Sequence, residues 1–390
     1  MEKINRPIYM DSHATTPVDP RVLEAMLPYF SDIFGNAGSI DHAYGAVAAE
    51  AVKKAREQCA HPLNAHPEEI IFTSGATEAN NIAILGTAEQ YAEKGDHIIT
   101  CVTEHKAVLD TCKHLQKTGK SVTFLPVDQY GLVDPGQVED AITDKTVLIS
   151  IMTANNEIGT IAPIKEIGKI AHEHGVIFHT DAAQAVGHIS IDVKEMNIDL
   201  LSFSGHKIYG PKGIGGLYIR GSNPRVKLAP IVFGGGQEKG LRSGTLNVPG
   251  IVGLGKALAV AEKEMAKEEK QYRKWTTQMF DAFKDAYPSV MLNGHPTKRL
   301  AHNLNVCFPG IESKALIHLL KDDVSISAGS ACTTTSVEPS HVLLAIGRTE
   351  EESHWAVRFG LGRGNTEEII EYTIITLKDD LNKIKKISDI

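Results

Sequence analysis

Polar side chains follow five predicted strands in the middle of the chain, each at the point where its strand ends. They are Ser74-Gly75-Ala76-Thr77, Thr103-Glu104-His105, Asn155-Asn156-Glu157, Asp181 with Gln184, and Ser204-Gly205-His206-Lys207. In an open α/β sheet, ligands bind beyond the carboxyl ends of the strands, so we expect these groups to lie on one edge of one sheet. A glycine turn that opens into a helix also leaves backbone N–H groups that suit a phosphate.

The chemistry of this set matches the needs of one cofactor. Pyridoxal phosphate requires an anion site, a carboxylate at its pyridine nitrogen and a lysine that forms a Schiff base. Taken singly, the groups have ordinary explanations, because a lone Asp after a strand usually caps a helix. Their convergence favours the cofactor. For the amine, Lys207 is preferred over Lys212, because Lys212 lies in the glycine-rich GPKGIGG loop beyond the strand end.

The elements that position these groups alternate between strands and helices. Apolar segments predict strands that end near Thr73 and strands at 97–103, 146–152, 175–181, 199–204 and 215–220. Helical stretches such as 164–175 lie between several of them. This alternation favours an α/β domain with a mainly parallel sheet.

A second, smaller domain is predicted towards the C-terminus. One long charged helix runs from Ile251 to about Ala286, and short strands restart around 300–308. A final helix follows Thr366, and its apolar residues step by three and four along one buried face. They are Ile370, Ile374, Leu377, Leu381 and Ile384. We place the large domain at 17–262 and the small domain at 1–16 and 263–390.

Composition and charge exclude several classes of function. The 390 residues include 40 basic and 48 acidic side chains, for a net charge of −8, so we expect no direct nucleic-acid binding. No apolar run is long enough to predict a membrane span, and the first residues lack the apolar core of a secretory signal. Five cysteines without a CxxC pair are typical of a reducing compartment, and we expect a cytoplasmic protein.

Three other motifs do not support a site. TGKS at 118–121 resembles the end of a P-loop, but position 114 is His where a glycine is needed, and a strand follows. No set of glycines completes GxGxxG, which argues against a dinucleotide enzyme. His172 and His174 are spaced so that they point apart on a helix, and we therefore expect no metal site.

Cys332 is the cysteine whose surroundings best suit reactivity. It lies in SISAGSACTTTSVEPSHV (325–342), where small polar residues without apolar periodicity predict a loop. The other four lie in apolar strand-like segments or in helical patterns: Cys101, Cys307, Cys59 and Cys112. An exposed thiol can act as a nucleophile, whereas buried thiols are inert. Most loop cysteines have no catalytic role, so composition alone leaves the function of Cys332 open.

Long motifs in the right order resemble those of the cysteine desulfurases of the NifS/IscS type. These are pyridoxal phosphate enzymes of aminotransferase fold type I, class V. The motifs are SGATEANN, TEHKAVLDTC, NNEIG, DAAQAVG, SFSGHKIYGPKGIGGLY, GGGQEKGLRSGT, SAGSACTTTSVEPSHVL and VRFGLGR. The resemblance spans about residues 8–387. It implies a large domain with a mainly parallel seven-stranded sheet flanked by helices, and a smaller α+β domain that carries the Cys332 loop at about 325–342.

The resemblance implies how the cofactor ring is held. Lys207 would form the Schiff base, Asp181 would pair with the pyridinium nitrogen, and His105 would stack on the ring. Gln184 and Asn156 would contact the ring hydroxyl.

The resemblance also implies the phosphate and substrate contacts. Four residues would hold the phosphate: Ala76, Thr77, Ser204 and His206. Thr245 of RSGT would reach the phosphate of the neighbouring subunit's cofactor, which implies a homodimer. Arg358 and Asn156 would bind the substrate carboxylate, a task that suits the planar fork of an arginine.

The implied reaction converts L-cysteine to L-alanine. The Cys332 thiolate would take the sulfur as a persulfide and pass it to an acceptor. The acceptor is left open between an iron–sulfur scaffold, with which Cys332 could share a cluster transiently, a tRNA-thiolation relay and a DNA-phosphorothioation system.

Other functions are compatible with the same fold. They are a selenocysteine lyase, an aminotransferase, a kynureninase-like hydrolase and a non-catalytic scaffold, the last disfavoured because Lys207, Asp181 and Cys332 are all present. One departure from the family pattern lies near the start, where Ser12-His13-Ala14 stands in place of the usual Tyr-Ser-Ala.

Overall fold

The computed structural model describes residues 5–328 and 338–388 of the chain, with the side chains of residues 5–328 and 338–384. The strands are β1 (Ile8–Tyr9), β2 (Ile70–Thr73), β3 (His97–Cys101), β4 (Ser121–Leu125), β5 (Thr146–Ser150), β6 (Ile177–Asp181), β7 (Leu200–Ser204), β8 (Gly215–Ile219), β9 (Met291–Leu292), β10 (Asn303–Cys307), β11 (Val324–Ser325) and β12 (Ala356–Gly360). The helices are α1 (Pro20–Met26), α2 (Pro28–Ser31), α3 (Ala43–Ala60), α4 (Ala76–Gln90), α5 (Lys106–Lys117), α6 (Pro135–Asp140), α7 (Ile164–Glu173), α8 (Val248–Ala286), α9 (Ser313–Leu320), α10 (His341–Ala345), α11 (Glu350–His354) and α12 (Glu367–Ser388).

A seven-stranded sheet forms the centre of the fold, in the order β2-β8-β7-β6-β5-β3-β4. Its neighbouring strands are parallel except for β8, which is antiparallel to both β2 and β7. Strands β3, β5 and β7 are buried along their whole length, as expected for a parallel sheet with both faces covered. The predicted α/β class with a mainly parallel seven-stranded sheet is therefore confirmed.

Helices cover the sheet and share two large hydrophobic cores. Helix α8 packs against α1 and α3, and its first half contributes Val248, Leu254 and Leu258 to the core under the sheet. The second half of α8 contributes Met279 and Phe283 to a separate core. One long helix, predicted from the sequence to run to about Ala286, therefore contributes to both cores.

The second core lies over a small antiparallel sheet in the order β12-β10-β9. Helix α12 packs against α8 and α9, and the apolar face predicted for it is largely buried. Strand β1 pairs in parallel with β11, so the start of the chain joins this part of the molecule. The division into domains at 17–262 and at 1–16 with 263–390 stays a prediction. In the described part of the chain, no helix has the length and apolar character needed to cross a membrane.

Candidate active site

A cavity of about 1100 Å³ opens beyond the carboxyl ends of β2, β3, β5, β6 and β7. Ten residues selected from the sequence line it: Ala76, Thr77, His105, Asn156, Asp181, Gln184, Ser204, His206, Lys207 and Arg358. Lys212, the competing lysine, also lies on its wall. The strand-end rule thus brings together side chains that are distant in the sequence.

The anion end of the cavity is the N-terminus of α4. The helix begins at Ala76, one residue after Gly75, whose φ of 154° is rarely open to residues with a side chain. Gly215 of β8 lies directly against this turn, because a Cβ there would come within 2.7 Å of the Gly75 Cα. The turn leaves the first backbone N–H groups of α4 available for an anion beside Ser204.

The carboxylate of Asp181 is held by donors on both of its oxygens. Asn80 Nδ2 donates to Oδ2 at 2.7 Å, and the Ala183 backbone N–H donates to Oδ1 at 2.9 Å. Asp181 is 5% exposed, so its charge lies in a largely dry site. These contacts orient a fixed negative charge towards the cavity, which suits a protonated ring nitrogen.

The amine of Lys207 lies against the chain near its start. Its Nζ donates to the backbone oxygens of His13 and, at 3.0 Å, of Ala14. Lys207 follows β7 in a single 3-10 turn of residues Gly205–Lys207. The turn brings the amine back over the end of the sheet that carries Asp181.

Two imidazoles flank the cavity in defined orientations. His105 is the N-cap of α5, and its Nδ1 accepts the Ala107 backbone N–H at 3.1 Å. His206 Nδ1 lies 3.1 Å from the Thr15 hydroxyl. Burial, together with the charges of Lys207 and Lys212, lowers the pKa of His206 to about 4, so this ring is neutral at pH 7.

Arg358 also lines the cavity and is almost fully buried. Its Nη2 donates to Asp11 Oδ1 at 2.8 Å, and its Nη1 donates to the Asn156 backbone oxygen at 2.8 Å. Ser327 Oγ donates to the same Asp11 oxygen at 3.1 Å. The arginine is thus oriented by residues from three separate segments, and it can share its charge with an incoming carboxylate.

The segment that contains Cys332 begins and ends at this cavity. Cys332 itself lies outside the described residues. On its N-terminal side, Ser327 bridges to Arg358 of β12. On its C-terminal side, Glu338 and Pro339 line the cavity, and Ser340 Oγ donates to Glu157 Oε2 at 2.5 Å.

The four described cysteines are buried. Burial raises the pKa of Cys101 to about 11 and the pKa of Cys112 to about 12. It also raises the pKa values of Cys59 and Cys307. A thiol of this kind is a poor nucleophile at pH 7, so these four suit structural roles.

Thr245 does not line the cavity of its own chain. It is exposed in the segment that follows β8. Nearby Arg242 reaches the cavity, because its Nε donates to Glu78 Oε1 at 2.8 Å on the first turn of α4. The segment therefore lies beside the anion end, but Thr245 itself is not part of the cavity wall.

Sequence reasoning missed several residues that shape the site. Asn80 was detectable, because it lies four residues after Ala76 and so on the same face of α4. Glu104 is fully buried and accepts the Met152 backbone N–H at 2.7 Å. Burial, with the nearby charge of Asp181, raises the pKa of Glu104 well above its usual range. No local sequence pattern predicts a carboxyl whose pKa is raised in this way.

The donor set of the cavity fits pyridoxal phosphate. A helix N-terminus suits its phosphate, the doubly held carboxylate of Asp181 suits its ring nitrogen, and the amine of Lys207 suits its aldehyde. Within residues 5–328 and 338–388, no group of three or more His, Cys, Asp or Glu is arranged to hold a metal ion.

Comparisons with known proteins point the same way. The aminotransferase class-V family matches residues 8–372. A protein named cysteine desulfurase IscS from Rickettsia bellii (strain OSU 85-389) is 52% identical over 382 residues, covering 98% of this chain and 93% of the relative. Among solved structures, a NifS-like protein superposes with a TM-score of 0.90 at 37% identity, covering 96% of this chain and 99% of that one. A structure described as SspA in complex with cysteine gives a TM-score of 0.80 at 43% identity, covering 91% and 98%.

Proposed function

The chain belongs to the aminotransferase class-V family and to its cysteine desulfurases, and from this premise we propose how its residues take sulfur from L-cysteine. The product left behind is L-alanine, and the sulfur is carried on Cys332 as a persulfide. Enzymes of this family use pyridoxal 5′-phosphate. The observation that carries the proposal is that Lys207, Asp181 and the N-terminus of α4 line a single cavity.

The cofactor is held by groups already oriented within the chain. When bound, pyridoxal phosphate supplies an aldehyde that condenses with amines and a ring that withdraws electrons from the substrate α-carbon. Asp181 would keep a proton on the ring nitrogen, because its carboxylate is fixed by Asn80 and Ala183. The backbone N–H groups of Ala76 and Thr77, at the start of α4, would hold the phosphate.

Further residues complete the cofactor site. Ser204 on β7 and His206 in the turn after it would hold the phosphate, and His105 would stack on the ring. Gln184 and Asn156 would contact the ring hydroxyl. The Lys207 amine would hold the aldehyde and, once released by the substrate, would move the proton at the substrate α-carbon.

The substrate is oriented by an arginine on the cavity wall. Arg358 binds the carboxylate of L-cysteine while its other contacts, to Asp11 and Asn156, hold the guanidinium in place. The substrate thiol then faces the segment between Ser327 and Ser340, whose described ends lie at the cavity. The Cys332 thiolate would attack that sulfur, forming a sulfur–sulfur bond as the carbon–sulfur bond breaks. The electron pair of the broken bond stays on carbon, which takes a proton and becomes the methyl group of L-alanine.

The protein works as a homodimer in this proposal. Apolar side chains are exposed along the surface of α1, α2 and the start of α3, and the exposed residues include Leu27, Phe30, Phe34 and Tyr44. Phe233, 81% exposed, stands in the segment that carries Thr245. Such a patch is typical of a protein interface. A second copy seated there would let Thr245 reach the phosphate in the neighbouring subunit.

The sulfur acceptor is a protein that receives the persulfide at the Cys332 segment. An iron–sulfur scaffold, a tRNA-thiolation relay and a DNA-phosphorothioation system remain the alternatives, and the proposed location is the cytoplasm. We also propose the division into a large domain at 17–262 and a small domain at 1–16 with 263–390.

The test of the site compares two lysines in the same cavity. With pyridoxal phosphate added, Lys207→Ala is expected to lose the visible absorbance of the Schiff base and the formation of alanine from L-cysteine. Lys212→Ala, the matched control, is expected to retain both. Borohydride reduction followed by peptide mass mapping identifies the modified lysine. An adduct on Lys212 in the wild-type protein would overturn the assignment.

A further inference from the structure

Three histidines from separate segments form a column of stacked rings behind the cavity. The rings of His13 and His302 have centroids 4.4 Å apart and an interplanar angle of 19°. The rings of His302 and His188 are 4.2 Å apart at 29°. His13 is 1% exposed and His302 is 4% exposed, so these two rings are shielded from solvent, and His188 is half-buried.

The protonation of His13 follows from its contacts with Gln184. Gln184 Nε2 donates to the His13 backbone oxygen at 3.0 Å, and a carbonyl can only accept, so the orientation of the amide is fixed. The amide oxygen therefore faces His13 Nδ1 at 2.9 Å. An amide oxygen is also only an acceptor, so Nδ1 of His13 carries the proton.

The other end of the column contacts the lysine segment. His188 Nε2 lies 3.0 Å from the Lys207 backbone oxygen, and since that oxygen can only accept, Nε2 carries the proton. The backbone oxygen of His13 in turn accepts from Lys207 Nζ. The column thus connects Gln184, the amine of Lys207 and the backbone of Lys207.

The surroundings keep the column neutral. His13 is faced by Arg358 from β12, by Lys207 and by His188, while Arg363 and Lys207 face His188. Burial and these positive charges lower the pKa of His13 and of His188. Burial and the two flanking imidazoles lower the pKa of His302. Neutral rings can stack without repulsion, so the column is stable as three uncharged imidazoles.

We propose that His13 is a positioning residue that acts through Gln184, with His302 as the support that keeps its ring in place. The backbone oxygen of His13 accepts one N–H of the Gln184 amide, and Nδ1–H of His13 donates to the amide oxygen. The second N–H is thereby left as a donor to the ring oxygen of the cofactor. This inference rests on the proposed function, because it assigns a geometry to Gln184 within that site.

The consequence is a measurable change in the cofactor. A donor to the ring oxygen stabilises its negative charge, which weakens the hold of that oxygen on the Schiff-base proton. Loss of the donor therefore raises the pKa of the Lys207 Schiff base, by about one pH unit for a hydrogen bond of ordinary strength to a charged oxygen. Absorbance against pH in the cofactor-loaded protein measures this pKa without any turnover.

The experiment uses variants that separate shape from hydrogen bonding. His13→Leu removes the Nδ1–H that donates to the Gln184 amide oxygen, and this variant is expected to raise the pKa of the Schiff base. His13→Asn places an amide N–H near the position of Nδ1 and is expected to restore the wild-type value. His302→Phe keeps an aromatic ring in the column, and its Schiff base is expected to titrate like that of the wild type. His302→Ala leaves a gap and is expected to raise the Schiff-base pKa, as His13→Leu does.

A double-variant cycle tests whether His13 acts through Gln184. In the Gln184→Leu background, adding His13→Leu is expected to produce no further shift, because the amide is already gone. Equal pKa values for wild type and for both His13→Leu and His302→Ala would overturn the inference, and so would additive shifts in the cycle. A wild-type protein that gives no Schiff-base absorbance at all would instead overturn the proposed function.

Discussion

The floor of the cavity and the segment that follows β8 are built in opposite ways. The floor, which we define as Asp181, Gln184, His206 and Lys207, has side chains that bond to partners within the chain. The segment at 229–245 instead exposes Phe233 and Thr245. Its contact with the cavity runs through Arg242, which binds Glu78.

This difference indicates which parts of the site a single chain completes. The floor is oriented before any ligand arrives, which is the arrangement that catalysis by fixed charges requires. In the proposed homodimer, the segment would gain its function when a second copy covers it. Changes in the floor are therefore expected to act within one chain, and changes in the segment are expected to act across the interface.

Removing the fixed charge of the floor is expected to have the largest effect. Asp181→Ala leaves the ring nitrogen without its partner, and we expect alanine formation to fall by about 10³-fold, as for loss of other oriented charges in dry sites. Asn80→Ala is expected to cause a smaller loss, since it removes only one of the two donors that hold Asp181. A loss smaller than tenfold in Asp181→Ala, measured at saturating cofactor, would contradict the role of this carboxylate.

Acid is expected to destabilise the floor, because buried neutral histidines lie behind it and none lies in the segment at 229–245. Burial lowers the pKa of His188 from 6.5 to about 4 and holds the pKa values of His13 and His302 well below 6.5. At pH values between about 4 and 6.5, these histidines bind protons in the unfolded chain but not in the folded chain. The free energy of unfolding therefore falls as pH drops below 6.5, by about 1.4 kcal/mol per pH unit for each histidine.

Urea unfolding of the cofactor-loaded protein between pH 7 and pH 5 measures this slope. His302→Phe removes one titrating ring, so its slope is expected to be shallower than that of the wild type. His61→Ala, in which the lost imidazole is exposed, serves as the matched control and is expected to keep the wild-type slope. A slope that is the same in all three proteins would contradict the neutral column.

Mixing of two defective chains tests whether Thr245 acts across the interface. Thr245→Ala is expected to weaken cofactor binding about tenfold, the cost of one hydrogen bond to a charged group. A dimer of one Thr245→Ala chain and one Lys207→Ala chain contains one site in which both Lys207 and Thr245 are wild type. Schiff-base absorbance at limiting cofactor is therefore expected to recover in the mixture.

Two results would break the distinction between the two regions. The first is a mixture that shows only the absorbance of Thr245→Ala alone, which would place Thr245 in the site of its own chain. The second is an equal loss in Thr277→Ala, the matched control, whose threonine is exposed on α8 away from this segment.

The smallest effect is expected at Glu104, which lies under the floor. Burial raises the pKa of Glu104 and so favours its uncharged form, and an amide of the same shape can still accept the Met152 N–H. Glu104→Gln is therefore expected to change the free energy of unfolding by less than about 1 kcal/mol. Glu104→Ala, which leaves a cavity and an unpaired N–H, is expected to cost more. A large loss in Glu104→Gln would mean that Glu104 is ionised.

The sequence predicted the edge of the sheet but not the column behind it. Each strand carries its own apolar signal, and the strand-end rule then places residues such as Asp181 and Lys207 together without further information. His13, His188 and His302 belong to three distant segments, and only their packing brings the rings into contact. The departure from the family pattern at His13 was the one visible signal, and it did not indicate which residues the His13 ring would contact.

The Cys332 segment was predicted from composition and resemblance alone. The structure describes its two ends at the cavity, through Ser327 and Ser340. The role proposed for Thr245 likewise involves a second chain, so neither the sequence pattern nor one chain's geometry could derive it.

The most direct test of the account measures alanine and sulfide together from L-cysteine, with a reductant, in the wild type and in Cys332→Ser. The wild type is expected to release the two products in equal amounts, and Cys332→Ser is expected to release neither above background. Alanine formation that is unchanged in Cys332→Ser would contradict the account, because the sulfur would then leave without passing through Cys332.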